Sequence, residues 1–193
     1  MCPISEDIPL NPKSPYAQSK MLQEQLCRFY TQTYFLNIIM VRAFNHIGPG
    51  QNLGFVVSDF ASRIVNIEYG LSDKLTVGNL DAARDFSDVR DIVRGYRLLM
   101  KNGTVGEIYN IGSGYARKIS DVLDVLLSFA KKEIDIVKNP NLMRPSDAPI
   151  IYGDCSKIFR DVGYKPEIHL EETLKEVLDD WRGRIIVTEK AKQ

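Results

Sequence analysis

The chain is poor in cysteine and histidine, and its charges cancel. It has three cysteines and two histidines among 193 residues, and 25 basic residues balance 25 acidic ones. The odd number and the spacing of Cys2, Cys27 and Cys155 fit neither a disulfide framework nor a metal site, which indicates thiols in a reducing cytoplasm. His46 and His169 have no second ligand at metal spacing, so we expect no metal site. A net charge of zero gives no strong field, and we expect no nucleic-acid partner.

Long hydrophobic runs and a phosphate-binding glycine fingerprint are also absent from the sequence. No apolar run approaches the roughly 18 residues of a membrane span, and the first residues lack the basic region and apolar core of a signal peptide. We therefore expect no membrane association. No glycine-rich strand–loop–helix fingerprint for a dinucleotide occurs, and Gly48-Pro49-Gly50 does not match one. The length and the 44% hydrophobic content suit one domain or one large fragment of a domain.

What the sequence does have is an alternation of helical and extended patterns. Apolar residues at helical spacing predict helices over residues 15–30, 55–69, 88–103, 120–130, 156–162 and 171–181. Mostly apolar runs predict strands over residues 35–43, 75–77, 107–111 and 134–137. Residues 1–15, 45–52, 78–81 and 144–147 are predicted loops or turns, and the tail from residue 184 is expected to fray. Such alternation indicates an α/β fold, and the few short strands suit part of a larger parallel sheet.

The most informative local pattern lies at the start of the first predicted helix. Ser14 and Pro15 are a helix-start signal, so Tyr16 and Lys20, four residues apart, share one helix face. A lysine ammonium beside a phenol favours the phenolate, which suits a tyrosine to general acid–base chemistry. The spacing alone is weak, because a surface tyrosine packed on a lysine stem produces the same pattern.

Two arginines lie in irregular segments, where binding residues concentrate. The planar guanidinium groups of Arg84 and Arg144 match phosphate oxygens, so a diphosphate ligand would explain their placement. The alternative is local ion pairing, which contributes little at an exposed site. Arg84 would then pair with Asp85 or Asp88. Arg144 would pair with Asp147.

Four segments, in order, resemble the extended short-chain dehydrogenase/reductase superfamily in its nucleotide-sugar branch. They are Pro-Tyr-Ala-Gln-Ser-Lys at 15–20, Arg-Ala-Phe-Asn-His-Ile-Gly-Pro-Gly-Gln at 42–51, the segment from Val77 to Asp91, and Arg-Pro-Ser-Asp-Ala-Pro at 144–149. The resemblance covers residues 9–181. It implies an α/β, Rossmann-like fold, of which this chain would be the C-terminal part. The family's dinucleotide fingerprint and catalytic serine or threonine would lie upstream, so Met1 would be an internal start within a longer gene.

The resemblance also implies a domain division. Residues 1–50 would be the remnant of the Rossmann-like domain, carrying the Tyr-Lys helix. Residues 51–193 would mostly bind the GDP-sugar, with 88–115 returning to the Rossmann sheet.

By the same resemblance, the cofactor side of the site has four candidate residues. Tyr16 would be catalytic and move the proton at the sugar C4 oxygen, and Lys20 would assist it. Both would contact NADP or NAD, together with Phe44 and His46. Lys20 would bond the nicotinamide ribose.

The substrate side has seven candidates, which are Asn45, Val57, Arg63, Val77, Asn79, Arg84 and Arg144. The asparagine at 45 and the arginines at 84 and 144 would bind the GDP diphosphate and ribose. Residues 77 and 79 would line the guanine pocket.

Within that branch, the segments are more similar to the reductases that convert GDP-4-keto-6-deoxy-mannose to GDP-D-rhamnose than to the GDP-mannose 4,6-dehydratases. The dehydratase pattern continues Asn-His-Glu-Ser-Pro, whereas this chain has Asn-His-Ile-Gly-Pro at 45–49. The resemblance thus implies NAD(P)H-dependent reduction, incomplete in this chain. A 4,6-dehydratase and a non-catalytic GDP-sugar binding fragment are the alternatives. It also implies a homo-oligomer, a dimer formed through the Tyr-Lys helix and its neighbour.

Overall fold

The computed structural model describes residues 2–142 and 148–190, with residues 186–190 described only as helical backbone. Six α-helices and nine short strands occur in these ranges. The helices are α1 (Pro15–Tyr34), α2 (Val56–Glu68), α3 (Val89–Asn102), α4 (Ile119–Ser128), α5 (Ser156–Val162) and α6 (Leu170–Lys190). The strands are β1 (Met40–Ala43), β2 (Asn45–Ile47), β3 (Lys74–Val77), β4 (Ala83–Arg84), β5 (Phe86–Asp88), β6 (Ile108–Ile111), β7 (Arg117–Lys118), β8 (Asp135–Lys138) and β9 (Ile150–Ile151). A single 3-10 turn covers Pro140–Leu142.

Most strand pairs are parallel, as the predicted α/β architecture requires. Strand β1 pairs with β6, β2 with β5, β3 with β8, and β4 with β9, all in parallel, and only β4 with β7 is antiparallel. Parallel neighbours need long crossovers, which the helices provide. The β1–β6 pair joins residues 40–43 to residues 108–111. The division into domains stays a prediction.

Among the residues whose side chains the structure describes, two hydrophobic clusters form the core. The larger cluster fills the space among α2, α4, α6, β3 and β5, and its fully buried members include Val57, Ile64, Leu75, Leu126, Leu174 and Leu178. The smaller cluster joins α3, α5 and β6 through Ile92, Leu99, Tyr109, Ile111, Ile158 and Tyr164. The strand ends that carry the candidate residues are therefore held by packed helices.

Helix α1 is the exception, because none of its residues is buried. Its predicted apolar stripe lies at the surface, where Leu22, Leu26, Phe29 and Tyr30 are each about half exposed. The helix ends at Phe35, whose φ of 55° is left-handed and whose side chain is 85% exposed. The strand predicted over residues 35–43 is for this reason shorter, since its first residues cap the helix and lead into Met40–Ala43.

Other differences from the sequence prediction arise from pairing between distant segments. The predicted loop at 45–52 starts with β2, which exists because it pairs with β5. Helix α4 begins at Ile119 after Lys118, not at a Ser120 cap. Helix α6 continues to Lys190 where the prediction had a frayed tail.

Candidate active site

Tyr16 and Lys20 stand on the first turns of α1. The Ser14 hydroxyl oxygen accepts a hydrogen bond from the main chain of the first turn at 3.1 Å, and Pro15 takes the first helical position. The Lys20 Nζ lies 5.8 Å from the centroid of the Tyr16 ring and donates to Gln23 Oε1 at 3.3 Å. Tyr16 is 72% exposed, so its hydroxyl is accessible to a ligand.

Both side chains line a cleft of about 730 Å³ between α1 and β1. His46 lines the same cleft, as do Arg42 of β1 and Tyr96 of α3. The volume lies in the range of small-molecule sites, roughly 300–1,000 Å³. Three of the four residues expected to contact a cofactor thus face one space.

An ion pair fixes α1 against β1 beside this cleft. Glu24 accepts two hydrogen bonds from Arg42, from Nε and from Nη2, each at 2.9 Å. These hydrogen bonds lower the pKa of Glu24 against the opposing effect of partial burial. The third guanidinium nitrogen of Arg42 donates to the main-chain oxygen of Glu6 at 2.8 Å. The ion pair of Glu24 and Arg42 therefore sets the distance between the helix that carries Tyr16 and the strand that leads to Asn45.

His46 is held by its own main chain. Its Nδ1 lies 3.1 Å from the carbonyl oxygen of Phe44, and because a carbonyl only accepts, Nδ1 carries the proton in this arrangement. Nε2 is then left as an acceptor on an exposed ring that lines the cleft. Phe44 itself packs elsewhere, since a Cβ at Gly153 would come within 2.2 Å of its ring.

Two of the proposed substrate residues have buried side chains, and their substrate role stays a prediction. Val57 and Val77 have no exposed surface. Val57 lies on the inward face of α2, and Val77, the last residue of β3, belongs to the same core cluster. Their side chains form core and cannot line a pocket in this structure. Contact with a ligand would be limited to their main-chain atoms.

Arg63 and Asn79 lie near the end of β3. Arg63 Nη1 donates to the main-chain oxygen of Thr76 at 2.6 Å, one residue before the end of the strand. The side-chain oxygen of Asn79 accepts from Asp81 N at 2.9 Å, which stabilises the predicted turn. Asn45, in β2, is exposed and pairs with Phe86.

The two carboxylates that the sequence offers as partners of Arg84, Asp85 and Asp88, bind other donors. Asp88 caps α3 and accepts hydrogen bonds from Arg90 and Thr173. Burial opposes ionisation of Asp88, but these bonds lower its pKa. Asp85 accepts from main-chain groups of two loops. Arg84 Nη1 instead donates to the main-chain oxygens of Ala83 at 2.8 Å and Pro149 at 3.4 Å.

Arg144 lies outside the described residues, but the chain on either side of it is placed. A Cβ at Gly78 would lie 2.4 Å from the main-chain oxygen of Leu142, so Leu142 passes directly over the residue before Asn79. On the other side, Ala83 N donates a hydrogen bond to the main-chain oxygen of Pro149 at 2.8 Å. The segments that flank residues 143–147 thus contact the Asn79 turn and the strand of Arg84.

Sequence reasoning missed three residues that shape this region. Arg42 opens the 42–51 segment but receives no role there, Tyr96 lies outside all four segments, and Asp85 enters only as a possible partner for Arg84. A charged residue inside an otherwise apolar strand was the available signal for Arg42. No local pattern reveals that Asp85 is 1% exposed.

The remaining expectations concern metals, thiols and membranes. Within the described ranges, no three His, Cys, Asp or Glu side chains come together as a metal site. All three cysteines are free, and burial, with nearby Asp85 and Glu6, raises the pKa of Cys155 to about 12. None of the helices described in residues 2–142 and 148–190 is both long and apolar enough to cross a membrane.

Comparison with known proteins decides the family. The family model for GDP-mannose 4,6 dehydratase matches residues 1–177. The chain belongs to this family. The membership confirms the resemblance to nucleotide-sugar dehydrogenases of the extended short-chain type, which rested on four short segments.

Its relatives include both activities considered from the sequence. The chain is 36% identical over 184 residues to the GDP-6-deoxy-D-mannose reductase of Pseudomonas aeruginosa, covering 95% of this chain and 60% of the reductase. It is 29% identical over 182 residues to GDP-mannose 4,6 dehydratase 1 of Arabidopsis thaliana, covering 92% of this chain and 50% of that enzyme. The chain therefore spans a little over half the length of these relatives.

Solved structures confirm the Rossmann-like α/β fold. The RMD protein of Pseudomonas aeruginosa, solved with NADPH, superposes with a TM-score of 0.90 at 36% identity, over 95% of this chain and 61% of that one. The dTDP-glucose 4,6-dehydratase DesIV of Streptomyces venezuelae, solved with NAD and TYD, gives a TM-score of 0.81 at 27% identity, over 93% of this chain and 54% of that one. Both were solved with a nicotinamide cofactor, and DesIV is a nucleotide-sugar dehydratase by its description.

Proposed function

We propose that this chain supplies the GDP-sugar binding residues and the Tyr-Lys pair of an NAD(P)H-dependent reductase that converts GDP-4-keto-6-deoxy-mannose to GDP-D-rhamnose. The observation that carries the proposal is the shared cleft of Tyr16, Lys20 and His46. The 36% identity to a GDP-6-deoxy-D-mannose reductase supports the choice of reaction.

The residues present fit the nicotinamide half of such a cofactor. The cleft offers an ammonium at Lys20, a phenol at Tyr16 and an acceptor at His46 Nε2, which suit the hydroxyl and carboxamide groups of a nicotinamide riboside. The sequence contains no glycine fingerprint for the pyrophosphate. When bound, the cofactor would supply the hydride. NADP and NAD remain equally open.

The protein residues would then manage the proton and the position of the sugar. The exposed phenol of Tyr16 donates its proton to the keto oxygen on C4 of the sugar, which becomes a hydroxyl group. The Lys20 ammonium, next to the ring, stabilises the phenolate left behind. Arg84, Arg144 and Asn45 would hold the diphosphate and ribose, since guanidinium groups match phosphate oxygens.

Calorimetric titration with GDP tests the substrate half of this proposal. We expect the chain to bind GDP, and Arg84→Ala to weaken binding about tenfold or more, because a charge-assisted hydrogen bond contributes about 1.5–3 kcal/mol. Arg160→Ala is the matched control, since Arg160 is an exposed arginine of α5 paired with Asp161, and should leave the Kd unchanged. Tyr16→Phe should also leave it unchanged. Failure of the wild-type chain to bind GDP would contradict the proposal.

Activity assays separate the three readings. The N-terminal half of a GDP-6-deoxy-D-mannose reductase supplies the cofactor fingerprint, and the chain is mixed with this half and with NADPH and GDP-4-keto-6-deoxy-mannose, or with GDP-mannose and NADP. Reduction of the keto sugar, abolished by Tyr16→Phe, supports the reductase, and conversion of GDP-mannose supports the dehydratase. GDP binding without either reaction favours the non-catalytic binding fragment. We expect negligible binding of NADPH by this chain alone, and tight binding would show that the missing fingerprint is not required.

We also propose that the chain forms a homodimer through α1. The surface stripe of Leu22, Leu26 and Phe29 supports this, because exposed apolar faces favour association. Light scattering should give the mass of a dimer for the wild type and of a monomer for Leu26→Glu. A wild-type monomer at tens of micromolar would rule out the homodimer.

We also propose a cytoplasmic location, because the three free cysteines support a reducing compartment.

A further inference from the structure

Asp85 is a buried carboxylate that the chemistry above does not use. It is 1% exposed, and its two oxygens accept four hydrogen bonds. Oδ1 accepts from Ser113 N at 2.7 Å and Ser113 Oγ at 2.6 Å, and Oδ2 accepts from Gly114 N at 3.0 Å and Gly153 N at 3.4 Å. The four donors are neutral, and together they compensate the cost of burying the charge. One side chain thus ties two loops, distant in sequence, to the link between β4 and β5.

Both loops are pressed against Phe44. A Cβ at Gly112 would lie 2.7 Å from Asp85 Oδ2 and 3.1 Å from the Phe44 Cβ. A Cβ at Gly153 would lie 2.2 Å from Cε2 of the Phe44 ring. The main chain adds a third constraint, because Phe44 N donates to Ile111 O at 2.9 Å. The position of Phe44 therefore follows the position of the loops that Asp85 holds.

Asp85 is also adjacent to the substrate side of the candidate site. Arg84 precedes it, and Phe86 follows it and pairs with Asn45 in the β2–β5 ladder. The segment from Phe44 to His46 and the strand of Arg84 are thereby connected through one carboxylate.

We propose that Asp85 is a positioning residue, which sets the Phe44–His46 segment relative to Arg84 in the GDP-sugar site. This inference rests on the proposed function for its effect on ligand binding. Asp85 does not touch the ligand, because it is buried. It acts through the loops at 112–114 and 153 and through the link between β4 and β5.

The test compares Asp85→Asn with Asp91→Asn. The first change replaces one carboxylate oxygen by an NH2 group that faces N–H donors, so the loops keep only one of the two acceptor oxygens that hold them. Asp91 is the control, since it is also 1% exposed and its Oδ2 accepts two main-chain hydrogen bonds at 3.0 Å, from Glu167 N and Ile168 N. Its Oδ1 additionally accepts from Arg94 Nη2 at 2.7 Å. Both variants should lower the melting temperature, as any loss of buried hydrogen bonds does.

The readouts are chosen to separate positioning from stability. At a temperature where both variants are folded, Asp85→Asn should raise the Kd of GDP about tenfold or more, as a misplaced binding group does, and Asp91→Asn should change it less than about twofold. In ligand-free NMR spectra, the amide signals of Phe44, Asn45 and His46 should move in Asp85→Asn and stay in place in Asp91→Asn. Equal effects of the two variants on GDP binding, or unmoved signals, would overturn the inference.

Two further outcomes are decided by the same design. If the wild-type chain does not bind GDP, the proposed function fails, and the amide signals alone decide whether Asp85 positions Phe44–His46. If Asp85→Asn does not fold, Ser113→Ala removes only the Oγ donor and should move the same amide signals by a smaller amount. Signals that stay in place in Ser113→Ala then overturn the inference.

Discussion

Among single residues, Glu68 and Arg182 show how much depends on a partner far away in the sequence. The Glu68 side chain is 2% exposed and that of Arg182 12%, and Arg182 donates to Glu68 from Nε at 2.8 Å and from Nη2 at 2.6 Å. Burial opposes ionisation of Glu68, but the bonds from Arg182 and from Lys131 N lower its pKa. The pair joins α2 to α6, and Arg182 also reaches the main-chain oxygen of Phe129 at the end of α4.

Removing one partner of this pair should therefore be costly. Glu68→Ala removes the buried partner of Arg182 and leaves it only the ion pair with Asp179, whose side chain is 45% exposed, so we expect the free energy of unfolding to fall by about 1.5–3 kcal/mol. Glu176→Ala is the control, because Glu176 also binds an arginine, Arg90, but both side chains are more than a third exposed. Its cost should stay below about 1 kcal/mol. Urea denaturation measures both, and similar losses would show that burial does not decide the strength of these pairs.

The sequence predicts residues well where the contact is local and poorly where it is not. Tyr16 and Lys20 were paired from a spacing of four, and the structure places both beside one cleft. Glu68 and Arg182 are 114 positions apart, so no pattern joins them. The resemblance gives Val57 and Val77 a substrate role, whereas the burial of their side chains depends on elements that are distant in sequence.

For the helices and strands, capping residues explain which helix ends the sequence predicts. Helix α5 covers residues 156–162 as predicted, and it stops at Gly163, whose φ of 71° is left-handed. Asp88 caps α3 as predicted, with its side chain accepting from Arg90 N. Strands β4, β7 and β9 were missed, because two residues carry no periodicity and such strands exist only through their partners.

Two helical glycines give a prediction at this scale. A Cβ on Gly95, in α3, would lie 2.2 Å from Cδ1 of the buried Ile111 and 3.0 Å from the Tyr164 ring, whereas a Cβ on Gly183, in α6, would meet nothing within 4 Å. Gly95→Ala should lower the free energy of unfolding by about 1–3 kcal/mol through overpacking. Gly183→Ala should raise it by up to about 1 kcal/mol through helix propensity. Denaturant titration checks the opposite signs, and a stabilising Gly95→Ala would mean that the α3–β6 contact is loose.

For the whole molecule, the buried carboxylates predict acid sensitivity. The pKa values of Glu24, Glu68 and Asp88 are all lowered in the folded protein. The unfolded pKa of a carboxyl group is roughly 4. When the folded pKa is lower than this, the group stabilises the fold at pH values above the unfolded pKa. That stability is lost as the pH falls through the folded pKa. We expect the free energy of unfolding to be nearly constant from pH 8 to 6 and to drop steeply below about pH 4.5.

Urea titrations at pH 7, 5, 4 and 3 measure this profile. The Glu68→Ala variant should show a shallower fall, because one of the depressed carboxyls is missing. A wild-type stability that rises between pH 5 and pH 3 would contradict the prediction.

The lack of buried residues in α1 has a consequence for the time scale on which the candidate site exists. Amide protons exchange with solvent through local opening, and a helix with few buried contacts opens at a lower free energy than the core. Hydrogen–deuterium exchange of the monomeric Leu26→Glu variant should therefore replace the amide protons of α1 before those of α2. Tyr16 and Lys20 would face His46 only during the fraction of time in which α1 is closed, so a ligand that bridges the cleft would slow exchange throughout that helix.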